Sequence, residues 1–367
     1  MRNVVIASGD LNNIGDFALL MQCVEGLRRL GLTNPMLVRQ WVMPPPGILQ
    51  ELRDADIGVL SGKDIPGSLA AARGGLVVVG GGQMVRDNAS TSSLALLAAM
   101  METARRTGGM SAVLGCGVSR LTRMPHRMLW RRMLSSASVL TVRDDASLAE
   151  VEGLCGRAAK PVLTADLAFC PTTLHAALAR STGAGPIIVA PCDDASEDRC
   201  IDIAALARLS ISAAHAFDAS GISLVAHDSA PRMDPVVCQA LDREIRSRAP
   251  AITVNHVASN ALADYMNAYA GASLVVTNRL HATIFGLLAR KPILIVDDGG
   301  TKTMAAARQF DIATVKLASA ESAGLFDRLL VDNADGPPER RGRNIEAAGI
   351  ASASNFDLLN AALEARA

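Results

Sequence analysis

Residues 3–16 read NVVIASGDLNNIGD, and this stretch decides the fold. A short run rich in valine and isoleucine, typical of a buried parallel strand, passes through small and Asx residues into a helical pattern from Phe17 to Leu30. Such a strand, turn and helix begin a βαβ unit. The backbone N–H groups of the turn, which contains Asn13, Gly15 and Asp16, suit an anion at the start of a helix. A purely structural turn is the alternative.

The same alternation continues along the chain. Each β-branched run predicts a strand of a parallel sheet, and each longer pattern predicts a flanking helix. In the first half the strands and their helices are 75–79 with 94–106, 111–114 with 125–134, and 139–142 with 146–154. In the second half the strands are 187–190, 222–226, 252–254, 274–277 and 293–296, and the helices are 201–219, 235–248, 261–270 and one after His281.

The length of 367 residues predicts two domains rather than one core. The alternation pauses at residues 168–186, where prolines and glycines cluster, and we place the linker there. We therefore predict an α/β protein with a Rossmann-like domain over 1–180 and another over 186–335. After the DGPPERRGR segment at 335–343, we expect helices to close the chain within 336–367.

Composition excludes several classes of function. Lys plus Arg equals Asp plus Glu at 36 each, which removes the general electrostatic reason to expect nucleic acid. Half of the residues are apolar and 3% are aromatic, which favours α/β cores over a β-sandwich. The seven cysteines form no C-x-x-C pair, and neither a signal peptide nor a long apolar run is apparent. We expect a cytoplasmic protein with reduced thiols and with no metal or cofactor.

Polar and glycine-rich segments follow two strands of the first domain. Gly80, Gly81 and Gly82 follow a predicted strand, and Asp87 comes soon after them. Such glycines let a ligand approach the backbone, although tight packing across the sheet is the alternative. Arg143 follows another strand, where its planar fork suits a carboxylate or a phosphate. A pairing of Arg143 with a neighbouring carboxylate is the alternative.

Cationic groups follow two strands of the second domain. Arg279 and His281 follow the strand over 274–277, and His281 stands near a helix N-terminus, where the dipole favours a neutral imidazole that can relay a proton. Lys302 follows the strand over 293–296 in a glycine-rich loop that suits phosphate. A structural histidine and an exposed loop lysine are the alternatives.

In this order the segments resemble the polysaccharide pyruvyl transferase family over residues 9 to about 310. The matching segments are N-x-G-D at 13–16, the glycine run at 80–82 with Asp87, G-x-G at 115–117, V-R-D-x-x-S at 142–147, Asp166, R-L-H-A at 279–282, and Lys302. The chain departs from the family pattern at Phe17, Leu167 and Asp297, where the family often has an acidic residue, a proline and an aromatic residue.

The resemblance implies a glycosyltransferase-B-like architecture and transfer of pyruvate from phosphoenolpyruvate onto two sugar hydroxyls, forming a cyclic ketal. It associates Arg143, His281 and Lys302 with the phosphoenolpyruvate site, and we expect the chemistry in the cleft between the two domains. Arg279 adds a further cation. We assign His281 as acid/base, with Asp16 or Asp87 acting on the sugar hydroxyls.

Two other functions remain open on the sequence: a nucleotide-sugar-dependent glycosyltransferase of the same architecture, and a non-catalytic sugar- or anion-binding relative. The sugar acceptor is expected to be part of a polysaccharide or a lipid-linked precursor. Residues 120–134 carry arginines at helical spacing beside apolar side chains, which fits peripheral contact with the inner face of a membrane. An ordinary helix packed on the sheet is the alternative there.

Overall fold

The computed structural model describes residues 2–179, 185–193, 201–258, 261–319, 324–333 and 339–366. These residues form two compact units, each built on a parallel sheet. Unit 1 comprises Met1–Asn12, Asp16–Thr172 and Ala348–Ala367, and unit 2 comprises Asn13–Gly15 and Thr173–Ala347. The alternation of strands and helices confirms the predicted α/β class.

The sheet of unit 1 has seven strands in the order β3-β2-β1-β4-β5-β6-β7. The strands are β1 Val4–Ala7, β2 Met36–Gln40, β3 Ile57–Ser61, β4 Leu76–Gly80, β5 Met110–Cys116, β6 Val139–Val142 and β7 Val162–Leu163. The chain adds strands outward from β1 in one direction and from β4 in the other. The carboxyl ends of β1 and β4 therefore lie at a topological switch point, where open parallel sheets bind ligands.

Six helices accompany this sheet: α1 Ile14–Arg29, α2 Pro46–Asp54, α3 Ile65–Ala72, α4 Thr91–Arg106, α5 Met124–Ser136 and α6 Asp145–Cys155. Helix α1 begins at Ile14 rather than at the predicted Phe17, because Asn13 Oδ1 accepts the N–H of Gly15 at 2.9 Å and caps the first turn. The N-x-G-D segment is therefore the start of the helix itself.

The sheet of unit 2 has six strands in the order β10-β9-β8-β11-β12-β13, with its switch point between β8 and β11. The strands are β8 Ile187–Ala190, β9 Ile222–Val225, β10 Val254–Val257, β11 Leu274–Thr277, β12 Ile293–Val296 and β13 Ala313–Val315. The helices are α7 Thr173–Leu178, α8 Ile203–Ala216, α9 Asp234–Arg248, α10 Leu262–Gly271, α11 Leu280–Leu288, α12 Thr301–Phe310, α13 Leu325–Asn333 and the first part of α14 Glu339–Glu364, which passes into unit 1 at Ala348.

The predicted linker contains a short helix, and the C-terminal segment is a helix that passes into unit 1. Helix α7 lies within 168–186, where Leu174 and Leu178 are buried, whereas residues 180–184 lie outside the described residues. Residues 335–338 of the DGPPERRGR segment also lie outside them. The last part of α14 belongs to unit 1, where the buried Asn355 accepts hydrogen bonds from the hydroxyls of Thr141 and Thr164.

Candidate functional site

The glycine turns at the switch point of unit 1 make room for Asp16. A Cβ atom on Gly9, directly after β1, would lie 2.3 Å from Asp16 Cγ, and one on Gly82 would lie 3.3 Å from Asp16 Oδ1. Gly81 and Gly82 both have φ of 69°, a conformation that favours glycine. Gly80 instead packs against the side chain of Cys23. The structure thus brings Asp16 and Gly82 together, while packing explains Gly80.

Arg143 follows β6 and is tied to other side chains of unit 1. Its guanidinium donates to Asp166 Oδ2 at 2.8 Å, to Gln83 Oε1 at 2.7 Å and to Asp144 Oδ2 at 3.2 Å. The side chains of Arg143 and Asp166 are each only 6% exposed. Burial lowers the pKa of Arg143, but the carboxylates of Asp166 and Asp144 outweigh burial and raise it. The guanidinium is therefore a fixed cation, held by Asp166.

The second glycine of the G-x-G segment lies beneath this guanidinium. A Cβ atom on Gly117 would lie 2.5 Å from Gln83 Oε1 and 2.8 Å from Arg143 Cζ. Only a residue without a side chain leaves the guanidinium its place. The G-x-G and V-R-D segments are therefore two parts of one arrangement.

Asp87 holds the start of α5. Its Oδ2 accepts hydrogen bonds from the backbone N–H and hydroxyl of Thr122, at 2.6 and 2.7 Å, and from Arg123 N at 3.2 Å. His126 Nδ1 lies 3.4 Å from Asp87 Oδ1. Burial raises the pKa of Asp87, but the hydrogen bonds from Thr122 and Arg123 outweigh burial and lower it. These contacts give Asp87 a structural use, and its action on a sugar hydroxyl stays a prediction.

Helix α5 is the arginine-rich segment considered for membrane contact. Trp130, Met133 and Leu134 are buried and pack in the core, whereas Met124 and Met128 are 66% and 67% exposed. The apolar residues thus divide between the core and the surface, and membrane contact stays a prediction. None of the helices in the described ranges is long and apolar enough to cross a membrane.

In unit 2, α11 begins at the carboxyl end of β11 with Arg279 at its N-cap. Arg279 Nη2 donates to Asp234, and Arg279 Nε donates to Pro191 O at 3.5 Å. The Arg279 side chain is 12% exposed and that of Asp234 is 2% exposed. Burial raises the pKa of Asp234, while the neighbouring Arg279 limits the rise. Nη1 of Arg279 makes no hydrogen bond within the part of the chain that the structure describes.

His281 lies in the first turn of α11, beside Gly15. A Cβ atom on Gly15 would lie 2.1 Å from His281 Nδ1, so the imidazole rests directly on the Gly15 backbone. The same segment is fixed in unit 2 by a hydrogen bond of 2.8 Å from Ile14 N to the carbonyl of His227. The structure thus brings together two predicted site residues, Gly15 and His281.

A buried aromatic cluster supports this corner of unit 2. His227 Nε2 lies 2.7 Å from the hydroxyl of Tyr269, and the His227 ring stacks on Phe285 with centroids 5.6 Å apart. Burial, with smaller contributions from Arg279 and His281, lowers the pKa of His227 well below its ordinary value. His227 is therefore a neutral core residue close to the charged Arg279.

The loops after β8, β11 and β12 are joined by Asn278. Its Oδ1 accepts from Cys192 N at 2.7 Å, and its Nδ2 donates to Cys192 O at 2.6 Å and to Asp298 Oδ2 at 2.7 Å. Asp298 in turn accepts the N–H of Gly300, the N-cap of α12, at 3.0 Å. Lys302 lies in the first turn of α12. The beginnings of α11 and α12 are therefore fixed relative to each other.

Several of these residues escaped the sequence reasoning. Asp234, Asn278, Asp298 and Tyr269 fix the site in unit 2. Asn278 and Asp298 follow the ends of β11 and β12, which is a local signal for a site, but nothing in the local sequence distinguishes Asp234 or Tyr269. Met233-Asp234-Pro235 reads as an ordinary helix start, and its partner Arg279 is distant in sequence. Within the described ranges, no group of three or more His, Cys, Asp or Glu side chains could hold a metal ion.

Solved structures with similar folds cover almost the whole chain. The UDP-GlcNAc 2-epimerase from Methanocaldococcus jannaschii is 10% identical and has a TM-score of 0.63, and the match covers 98% of this chain and 99% of that one. A putative UDP-N-acetylglucosamine 2-epimerase from Listeria monocytogenes is 13% identical, with a TM-score of 0.62 and coverage of 99% and 97%.

The Anabaena protein HepE, in complex with UDP and glucose, is 12% identical, with a TM-score of 0.57 and coverage of 100% and 98%. These likenesses confirm the predicted glycosyltransferase-B-like fold class. No curated protein sequence matches the chain significantly.

The sequence itself carries the more specific relationship. A family model described as polysaccharide pyruvyl transferase matches residues 13–299, which is most of the chain. The match begins at the asparagine of the N-x-G-D segment and includes Arg143, Arg279 and His281. The chain therefore belongs to the polysaccharide pyruvyl transferase family.

Proposed function

We propose that this protein transfers the pyruvyl group of phosphoenolpyruvate to two hydroxyls of one sugar, forming a cyclic ketal and releasing phosphate. The observation that carries the proposal is the arrangement at the carboxyl edge of unit 2, together with family membership. Helices α11 and α12 begin after the paired strands β11 and β12, with His281 in the first turn of one and Lys302 in the first turn of the other.

This edge suits an anionic donor. The N-terminal ends of α11 and α12, which are the positive ends of the helix dipoles, both lie at this edge and favour an anion. Phosphoenolpyruvate carries about three negative charges near neutrality, and Lys302 adds a compact charge suited to a phosphate group. The charge of Arg279 is already balanced by Asp234, so we expect its Nη1 to orient the donor through a hydrogen bond rather than to add net positive charge.

The reaction balances with these groups and one acid/base. The methylene carbon of phosphoenolpyruvate gains a proton, one sugar hydroxyl adds to the adjacent carbon, phosphate leaves from that carbon, and the second hydroxyl replaces it. The two sugar hydroxyls lose two protons in total. One proton balances the proton that the methylene carbon gains, and the other leaves with the phosphate. We assign the proton transfers at the hydroxyls to His281, whose ring is held on Gly15.

The role of Asp16 is proposed separately, within unit 1. Its carboxylate lies at the turns after β1 and β4, where Gly9 and Gly82 leave room for it. A carboxylate at a switch point can accept a hydrogen bond from a sugar hydroxyl and orient it. We assign Asp16 to the acceptor rather than to the donor.

The test is phosphate release from phosphoenolpyruvate with a panel of sugar acceptors, followed by mass spectrometry of the product. We expect phosphate release that depends on the acceptor, and a product that has gained pyruvate and lost water. Turnover of a UDP-sugar in place of phosphoenolpyruvate would contradict the proposal and support a glycosyltransferase. Binding of phosphoenolpyruvate without release under any acceptor would support a non-catalytic relative.

Histidine variants test the assignment within unit 2. His281→Ala should lower turnover by about 10²- to 10⁴-fold while phosphoenolpyruvate still binds, because a neutral imidazole contributes more to proton transfer than to anion binding. His256→Ala is the matched control, since His256 is 37% exposed on β10 and lies 3.4 Å from Asp242. Equal turnover of the two variants would refute the role of His281.

A further inference from the structure

A cavity of about 230 Å³ opens in unit 1 beside the carboxyl ends of β1 and β2. Its lining includes Asp10 after β1, Arg39 and Gln40 at the end of β2, Arg86 after the glycine run, and the two tryptophans Trp41 and Trp130. The function proposed above uses none of these residues. The volume is below the range for drug-sized ligands and suits a single sugar residue.

Arg39 is a buried cation without a carboxylate partner among the residues that the structure describes. Only 7% of the residue is exposed, and no Asp or Glu oxygen lies within 4.0 Å of it among the described residues. Its Nη2 donates to Ser93 Oγ at 3.2 Å and Ser93 O at 3.4 Å, whereas its buried Nε has no acceptor in the described part of the chain. Burial lowers its pKa.

Two other arginines with buried side chains, Arg143 and Arg279, have a carboxylate partner among the described residues. Arg143 has Asp166 and Asp144, and Arg279 has Asp234. Buried charges are normally paired in this way, because an uncompensated one is costly. An arginine that lines a cavity and lacks such a partner fits a ligand that brings the negative charge.

The aromatic lining indicates what carries that charge. The chain has only two tryptophans, and both line this cavity. Trp41 is 39% exposed and its ring centroid lies 5.2 Å from Arg39 Cζ, and the indole N–H of the fully buried Trp130 has no acceptor among the described residues. The indole N–H of Trp41 donates to Ser93 Oγ, which leaves the apolar face of the ring for a ligand, and a sugar ring offers a matching C–H face.

Resting on the proposed function, we propose that this cavity is an acceptor subsite for a sugar that carries an oxyanion, either a carboxylate or a phosphate. Arg39 and Arg86 hold the anion, and the exposed part of Trp41 holds the ring. Asp10 also lines the cavity, and its Oδ1 is directed to Asn12 N and Nδ2 at 3.0 and 2.8 Å. The Asp10 carboxylate accepts hydrogen bonds from sugar hydroxyls. The hydroxyl end of the ligand therefore contacts Asp10, and its anionic end contacts the two arginines.

Intrinsic fluorescence tests the proposal directly, because both tryptophans report on the cavity. We would titrate the full-length protein, without phosphoenolpyruvate, with glucuronate, glucose 1-phosphate and glucose. We expect at least one of the two anionic sugars to bind at least about 10-fold more tightly than glucose, as one charge-assisted contact of about 1.5 kcal/mol requires. The tighter binder of glucuronate and glucose 1-phosphate shows whether the subsite prefers a carboxylate or a phosphate.

Variants separate this site from a structural role of Arg39. Arg39→Met should abolish the preference for the anion and leave the melting temperature unchanged or higher, because the cost of the buried charge disappears. Arg86→Met, at a half-buried side chain, should also weaken the preference and keeps the test decisive if Arg39→Met does not fold. Arg106→Met is the control, since that side chain is 70% exposed and paired with Glu102.

Equal affinity for glucose and both anions, or an unchanged preference in a folded Arg39→Met or Arg86→Met variant, would overturn the proposal. Because phosphoenolpyruvate is omitted, this result is independent of the proposed reaction. Anion preference without any phosphate release would leave the subsite in place and refute the transferase chemistry. Phosphate release without anion preference would support the transferase chemistry and refute the subsite.

Discussion

The buried pair of Arg143 and Asp166 allows a separation of structural and binding roles. We choose Arg143→Met, which keeps the length of the side chain and removes its charge. In the variant, Asp166 stays 6% exposed but loses the donor at 2.8 Å from its Oδ2, and keeps only the backbone N–H of Ala168 at 3.0 Å from its Oδ1. The carboxylate is then buried with its charge uncompensated.

Removal of one partner of a buried ion pair costs about 3 to 5 kcal/mol of unfolding free energy. For a unit of this size that corresponds to a fall of about 6 to 20 °C in melting temperature. The double variant Arg143→Met with Asp166→Asn should recover most of the loss. The asparagine side chain is neutral, and its amide oxygen can still accept the N–H of Ala168.

The assay is thermal unfolding of the parent, both single variants and the double variant, with calorimetric titration of phosphoenolpyruvate on each folded protein. If Arg143 also binds the donor, the double variant should regain stability but not donor affinity. A loss below about 1 kcal/mol in Arg143→Met would refute the reasoning on the buried pair. Donor affinity equal to the parent in the double variant would refute the predicted binding role of Arg143 while leaving the pair intact.

Two further predictions follow from unit 2. Gly15→Ala should lower turnover by about 10-fold or more, because its Cβ atom would lie 2.1 Å from His281 Nδ1 and displace the ring. The control is Gly153→Ala, because Gly153 has open space around it, whereas Gly31 has φ of 75° and would be strained by a side chain. Normal turnover of Gly15→Ala would contradict the contact. The second concerns pH: the folded-state pKa of His227 is depressed, so its contribution to stability is present above about pH 6.5 and is lost as pH falls below that value, by up to about 1.4 kcal/mol per pH unit. His227→Gln should flatten the fall of the melting temperature between about pH 7 and pH 5, and an unchanged slope would show that His227 is not responsible.

The alternation of strands and helices was predictable because parallel strands buried on both faces are nearly continuous apolar runs. The predicted runs at 187–190, 274–277 and 293–296 coincide with β8, β11 and β12. No element was assigned by range between residues 31 and 74, where the structure has β2, α2, β3 and α3. There β2 contains Arg39 and β3 is partly exposed, so neither gives the apolar run that identifies a central strand.

The candidate site was predictable only where strands end. Arg143, His281 and Lys302 were found because each follows a strand of a parallel sheet, and the position after a strand is local information. What each side chain contacts is not local. Asp234 lies 2% exposed beside Arg279, and Asp87 is used by the start of α5, but neither partnership leaves a signal in the sequence around these residues.

The partners of Arg39 could not be read from the sequence either, although the sequence does indicate that Arg39 needs a compensating contact. Arg39 stands in β2 two residues before Trp41, one of only two tryptophans in a chain that is 3% aromatic. A charged residue in a short strand, close to one of the few large aromatic side chains, indicates a contact that compensates its burial. The structure supplies the aromatic face and Ser93, but no carboxylate among the described residues.

The buried arginines therefore differ in what compensates their charge. At Arg143 and Arg279 the fold itself supplies the compensating carboxylate, from Asp166 and from Asp234. A carboxylate beside Arg39 would also stabilise the empty protein, but it would compete with any anion that enters the cavity. Leaving Arg39 without one costs stability in the free protein and preorganises the cation for a ligand, since the desolvation cost is met on folding rather than on binding. An arginine that is buried without a carboxylate and faces a cavity is thus better explained by binding than by stability.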